Sequence, residues 1–269
     1  MGYGFVRFLA AGLLGVCIVS GGACAQTPTG QRVDLERHLS SVAPKVEAWW
    51  RDIHANPELG NMEHRTAALV AEHLRRIGLD EVRTDIAHTG VVGVLRGGKP
   101  GPVLALRADM DALPILEATG ASFASVATAV LNGKSVPVMH ACGHDAHTAM
   151  LMGAAEVLVG LREQIHGTIL FVFQPAEEGV AGEVAGAKLM LEEGVFANPK
   201  PDAIFALHVE PGSVGRIEAR RGPFLSSATS LDITLTGRQT HAAGLGRGPT
   251  QSTSVRMSSR HSRQFRLAV

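Results

Sequence analysis

Residues 90–114 read GVVGVLRGGKPGPVLALRADMDALP, and the reading of the rest of the chain follows from how that stretch divides. Two β-branched and aliphatic runs, GVVGVLRG (90–97) and PVLALRA (102–108), flank the Gly/Pro cluster GGKPGP. The cluster reads as a turn, and the runs read as adjacent strands of one sheet. It does not read as a phosphate-binding loop, because no helix opens after it and no Lys-Ser/Thr follows. Downstream, TILFVFQ (168–174) and DAIFALHV (202–209) are two further strands. A helix is expected from about Ala146 to Leu161 and a shorter one around Ala185 to Glu193. Strands alternating with helices predict an α/β class, a layered α/β/α domain with a mostly parallel sheet. Upstream, Val33 to Gly78 is helical in pattern, with Leu69, Val70, His73, Leu74 and Ile77 at three- and four-residue spacing and Gly78 as a C-cap. RDIHANPELG (51–60) interrupts it as a loop. After Gly215 the character shifts: SATSLDITLTG (227–237) alternates polar and apolar residues, as a one-sided antiparallel strand does. A domain boundary is therefore expected near Gly212–Gly215.

Composition narrows the function classes. The chain has 269 residues, 45% hydrophobic and 19% charged, which excludes intrinsic disorder. Its 25 basic and 25 acidic side chains cancel, so a nucleic-acid partner is not expected. Arg7, the apolar run Phe8–Val19 and the small residues ending Ala23-Cys24-Ala25 read as a secretory signal peptide over residues 1–25. The run is short and glycine-containing for a membrane anchor, and Gly21-Gly22-Ala23 lacks the bulky aliphatic residue of a lipoprotein box. Periplasmic or secreted export is the expectation. Cleavage after Ala25 would remove Cys17 and Cys24 and leave Cys142 as the one cysteine, with no internal disulfide. From Gly244 to Val269 there are five Arg, five Ser and no Asp or Glu. No packed element is expected there, and the strand SLDITLTG is expected to lack a partner.

The densest chemistry is VMHACGHDAHTAM (138–150), with His140, Cys142, His144, Asp145 and His147. Each alone reads as a loop or core residue; five together read as a metal site, because thiolate and imidazole are both good ligands for zinc-like ions. A thiolate at Cys142 would also gain from the start of the following helix. The second cluster, FVFQPAEEG (171–179), puts Glu177 and Glu178 side by side at a strand end, where their repulsion calls for solvent or a cation. His208 ends another strand, and LALRADMDALP offers Asp109 and Asp111. In open α/β sheets ligands collect beyond the carboxyl ends of the strands, so these groups are expected at one edge. One of Glu177 and Glu178 should hold metal while the other moves protons. With no H-E-x-x-H and no G-x-S-x-G, the residues predict hydrolysis by activated water without a covalent intermediate.

Taken in order, RDIHANPELG, GVLRGGKPGPVLALRADMDALPI, VPVMHACGHDAHTAM, FVFQPAEEG, DAIFALHV and GRQTHAA resemble the M20 metallopeptidase superfamily over Val33 to Ala243. Within it they are most similar to the amidohydrolase branch of hippurate hydrolases, N-acyl-amino-acid amidohydrolases and auxin-conjugate hydrolases. The resemblance implies a metal-dependent hydrolase of N-acyl amino acids. It implies two divalent ions held by Cys142, His144, Glu178 and His208, with Glu177 as general base and Asp111 orienting a ligand. Zinc, manganese, cobalt and nickel all suit such a donor set. It further implies a catalytic domain over 33–213, the start of a lid and dimerisation domain over 216–243, and a homodimer. His241 of that lid would reach the substrate's carbonyl or carboxylate. The family carries one more histidine ligand after this point, and His261 in SSRHSRQF does not resemble it. The ligand set read from the sequence is thus one short. The alternative expectation is a truncated, inactive and poorly soluble remnant of such an enzyme, or a metal-binding protein without catalysis.

Overall fold

The computed structural model describes residues 29–222 except 181, together with 229–235 and 253–259. The expected signal peptide, His241 and His261 lie outside the described residues. The chain divides into two units, Met1–Ile217 and Glu218–Val269.

The first unit opens with helices α1 (Thr29–Ala55) and α2 (His64–Arg76), followed by strands β1 (Glu81–Ile86), β2 (Gly90–Arg96) and β3 (Lys99–Asp109). A small hairpin, β4 (Thr128–Leu131) and β5 (Lys134–Pro137), precedes helix α3 (His144–Gly160). Strand β6 (His166–Gln174), helix α4 (Gly186–Glu192) and strand β7 (Ala203–Ala206) complete it. The five-stranded sheet has the order β1-β2-β6-β3-β7. β6 is parallel to β3 and β3 to β7, while β2 is antiparallel to both β1 and β6, so four of the five strands run the same way. The layered, mostly parallel α/β architecture is the one the alternation of elements predicts.

One strand pairing differs. β2 and β3 are not neighbours, because β6 lies between them, registering Val94↔Leu170 on one side and Ala105↔Leu170 on the other. The cause is the burial demand of β6. Phe171 and Phe173 face Val70, Leu74, Leu151 and Met152 of α2 and α3, while Leu170 and Val172 face Met190 of α4 and Val195. A strand apolar on both faces belongs in the middle of a two-sided sheet. GGKPGP therefore does not close a hairpin; Lys99, Pro100 and Gly101 already belong to β3. Outside α3, helix α1 adds a further layer through Leu39, Val42 and Val46 against Ala149, Ala154 and Val157.

The second unit corrects the reading of the C-terminal segment. Thr253–Ser259 forms a strand, β9, paired antiparallel with β8 (Thr229–Leu235). Leu231 registers with Met257 and Ile233 with Val255. The period-two placement of Val255 and Met257 is the strand signal, and the surrounding Arg and Ser hide it. Among the described residues no helix is long and apolar enough to cross a membrane.

Candidate metal centre

The parallel strands β3, β6 and β7 end at one edge of the sheet: Asp109 registers with Gln174 and Arg107 with Ala206. Each strand hands its next few residues to the same place. Asp111 follows β3, Glu177 and Glu178 follow β6, and His208 follows β7. Cys142 and His144 arrive from the start of α3, where Gly143 takes φ +87° as N-cap. A Cβ on Gly143 would sit 2.2 Å from Val209 Cγ2, so glycine suits both the left-handed backbone and the close packing of Val209 against the start of the helix.

His144 is the centre of the arrangement. It is fully buried, and its Nδ1–H donates to the Asp111 carbonyl (2.9 Å) and to Asp111 Oδ1 (3.1 Å). The ring is thereby fixed with its Nε2 pointing inward, where it has no hydrogen-bond partner among the described residues. Asp109 Oδ2 stands 3.6 Å and Glu177 Oε2 3.8 Å from that nitrogen. Asp111 Oδ2 accepts the backbone N–H of Glu178 at 2.9 Å, so one carboxylate braces two of the groups. Cys142 Sγ lies 3.5 Å from His208 Nε2, whose Nδ1–H donates to the Val209 carbonyl. Three sets of side chains each bring their ligand atoms within 4.8 Å of one another: Cys142, His144 and His208; His144, Glu177 and Glu178; and Asp109, His144 and His147.

Electrostatics point the same way. Burial pushes the His144 imidazole down, but the Asp111 hydrogen bond and the negative charges of Asp109, Asp111 and Glu177 overcome it and raise it to about 9. The pocket is short of positive charge, which a divalent cation would supply. Glu177, half exposed, is raised by burial and by repulsion from Asp109, with His144 opposing. Asp109 is held far below the usual carboxylate range: burial works against its ionisation, but His147, His144 and Arg107 outweigh it. A buried, partnerless imidazole nitrogen among carboxylates, with a thiol alongside, fits a zinc-like ion.

The structure brings Cys142, His144, Glu177, Glu178, His208, Asp109 and Asp111 together. It sends Asp145 and His140 of the 138–150 cluster elsewhere and keeps His147 beside Asp109 and His144. Asp145 accepts from His54 at 2.7 Å, and His140 has both ring nitrogens unpartnered among the described residues and is lowered to about 4 by its burial. Both nitrogens of His147 are engaged by Asp109 and by the Val209 amide. One supporting residue escaped the sequence reading. Glu63, fully buried, accepts the Ala176 N–H at 2.8 Å and holds Ala176 at φ +46°, aiming the two glutamates that follow. Nothing in the helical pattern around Glu63 marks it, since its partner is a backbone amide 113 residues away.

The sequence profile of peptidase family M20/M25/M40 matches residues 105–258. Thermostable carboxypeptidase 2 of Saccharolobus solfataricus is 40% identical over 78% of this chain and 52% of its own length. The hippurate hydrolase of Campylobacter jejuni is 42% identical over 71% of this chain and 46% of its own. The crystal structure of Bacillus subtilis YXEP, described as a dinuclear metal binding peptidase from the M20 family, superposes with a TM-score of 0.63 at 37% identity, covering 74% of this chain and 52% of that one. The chain thus spans about half the length of the relatives it matches. The edge of strand ends, the glutamate pair and the Cys-Gly-His turn fall within the matched residues, and the chain belongs to the M20/M25/M40 peptidase family.

Proposed function

We propose that the protein hydrolyses the amide bond of N-acyl amino acids, with Cys142, His144, Glu178 and His208 holding two divalent ions. The observation that carries this reading is His144 Nε2, buried without a hydrogen-bond partner among the described residues and facing Asp109 and Glu177, while Asp111 fixes the other ring nitrogen. When bound, the ions supply Lewis acidity toward the amide carbonyl and make water acidic enough to give up a proton. Zinc, manganese, cobalt and nickel all fit the donors.

Glu177 is placed to move that proton. Its carboxylate is reachable from solvent, yet raised by burial and by Asp109, so it holds a proton more readily than an ordinary surface glutamate. It accepts the proton of the attacking water as the C–O bond forms. It returns that proton to the amine as the C–N bond breaks, leaving a carboxylic acid and an amino acid. Asp111 acts one step back, holding the ring of His144 and the amide of Glu178 in place. A carboxypeptidase and a hippurate hydrolase among the relatives support an amide whose amine side is a free amino acid. His241 remains our candidate for contacting that substrate, in a homodimer.

The test is a pair of substitutions assayed on N-acetyl and N-benzoyl amino acids. Glu177→Gln should lower turnover about a hundredfold or more with metal content unchanged. Glu178→Gln should lose metal. Unchanged turnover in the first variant sinks the base assignment, and full metal content in the second reverses the roles.

A further inference from the structure

Two buried groups beside the site make hydrogen bonds that this mechanism does not use. Asp109 is 1% exposed and His147 3%. We propose that Arg107, Asp109 and His147 form a positioning relay that fixes the backbone amide of Val209 and thereby aims His208 at Cys142. The inference rests on the metal reading of Cys142 and His208 given above.

The hydrogen bonds leave one arrangement of protons. The Val209 N–H can only donate, so His147 Nε2, 2.9 Å away, accepts and carries no proton. The ring proton is then on Nδ1 and goes to Asp109 Oδ1 at 2.6 Å. The other oxygen, Asp109 Oδ2, accepts from Arg107 at 2.7 Å, and the Arg107 Nε–H donates to Gln174 Oε1 at 3.0 Å. Gln174 is the last residue of β6 and Asp109 the last of β3. Two strand ends and the first turn of α3 are tied through this chain to the segment after β7.

That segment needs an anchor. β7 stops at Ala206, so the sheet ladder does not reach His208. The orientation of the His208 ring depends on the backbone of Val209 on both sides of its Cα. The Val209 carbonyl receives the His208 Nδ1–H at 2.8 Å, which leaves Nε2 facing Cys142 Sγ. The Val209 amide is held by His147. Metal-binding histidines depend on such outer hydrogen bonds, whose loss costs about 10- to 100-fold in metal affinity. Here the outer bond is made by the backbone next to the ligand and reaches the ligand through it. Asp109, His144 and His147 also lie within ligand distance of one another, but an ion bound to His147 would have to break one of the two hydrogen bonds just described.

Glutamine and asparagine separate the two ends of the imidazole. His147→Gln keeps an acceptor near the position of Nε2, and His147→Asn keeps only a donor near Nδ1. In titrations of the full chain with Co2+, read by thiolate-to-cobalt absorption, His147→Gln should stay close to the wild type. His147→Asn should weaken by about 10- to 100-fold. Equal losses in the two variants overturn the proposal, since the ring itself would then be the ligand; so does no loss in either. A second readout needs no metal. Hydrogen exchange at the Val209 amide should be slow in the wild type and His147→Gln and fast in His147→Asn. If the wild type shows no cobalt absorption, the metal reading fails, and this exchange pattern still decides whether the relay exists. Should the variants not fold, 15N shifts of the wild-type His147 ring at neutral pH decide it: a neutral Nδ1–H tautomer supports the relay, and a protonated Nε2 overturns it.

Discussion

At the scale of a single residue, Gly143 sets the tolerance of the site. It occupies the left-handed region at φ +87° between Cys142 and His144, and an added Cβ would fall 2.2 Å from Val209 Cγ2. Alanine there meets two separate penalties. The backbone conformation costs an L-residue about 1–2 kcal/mol, and the overlap must be relieved by turning the Val209 side chain or by shifting the segment that carries it and His208. Gly143→Ala should therefore lower the unfolding free energy by about 2 kcal/mol or more and weaken Co2+ binding as well. Adding Val209→Ala removes the clashing methyl and should return part of the affinity while leaving the backbone penalty. Denaturant unfolding and cobalt titration of the single and double variants check both parts. A Gly143→Ala chain as stable as the wild type would contradict the packing of Val209 against the start of α3.

At the scale of elements, His54 joins the end of α1 to the beginning of α3 and to the loop after β3. Its Nδ1 is 2.7 Å from Asp145 Oδ2 and its Nε2 3.1 Å from Glu117 Oε1, while Glu117 also accepts the Ser125 N–H. A cation in the last turn of one helix and an anion in the first turn of the other each suit the local helix dipole. The Asp145 hydrogen bond, opposed by burial and reinforced by Glu117, raises His54 to about 9. Because the folded value lies above the ordinary 6.5, the clamp's stabilisation is complete below about pH 6.5 and is lost as pH rises through 9. It is worth at most about 3 kcal/mol. Unfolding midpoints measured from pH 6 to 10 should fall across that window, and His54→Gln should flatten the fall. An unchanged slope in the variant would assign the dependence to other groups. The elements themselves were unevenly legible. The long helices and the strands at 90–96 and 168–174 carry clear apolar patterns. The β4–β5 hairpin went unread: Asn132-Gly133 takes positive φ at both positions, the usual two-residue hairpin turn, but its flanking strands are too short and exposed to show a periodicity. β1 reads EVRTDI and alternates nothing apolar, because it is a half-exposed edge strand. The order of strands lies beyond any local pattern, as the insertion of β6 between β2 and β3 is settled by which strand must be covered on both faces.

At the scale of the molecule, the donor types in the candidate centre could be read from the sequence, and their convergence could be inferred from parallel strands ending together. The braces could not be read, because Glu63 and His147 act on backbone amides of Ala176 and Val209, which leave no mark in side-chain identity. The same topology has a thermodynamic consequence. The proposed ligands Cys142, His144, Glu178 and His208 come from the start of α3 and the turn before it, the loop after β6 and the segment after β7, which lie close together only when folded. An ion bound there favours the folded state by mass action, about 2.7 kcal/mol at a hundred times Kd and about 1.4 kcal/mol more for each further decade. A strong chelator should accordingly lower the unfolding midpoint, and added Co2+ or Zn2+ should restore it in a concentration-dependent way. Cys142 reports the same event locally. Its thiol is only half buried, so burial alone does not shield it, whereas coordination would. Alkylation at Cys142, followed by peptide mass spectrometry to separate it from Cys17 and Cys24, should accelerate when the chelator is added. If the midpoint falls but labelling does not change, the ion is held by the carboxylate and imidazole groups around His144 without the thiol. If neither changes, the excess of negative charge around His144 is balanced by its own proton, and the centre binds no metal under those conditions.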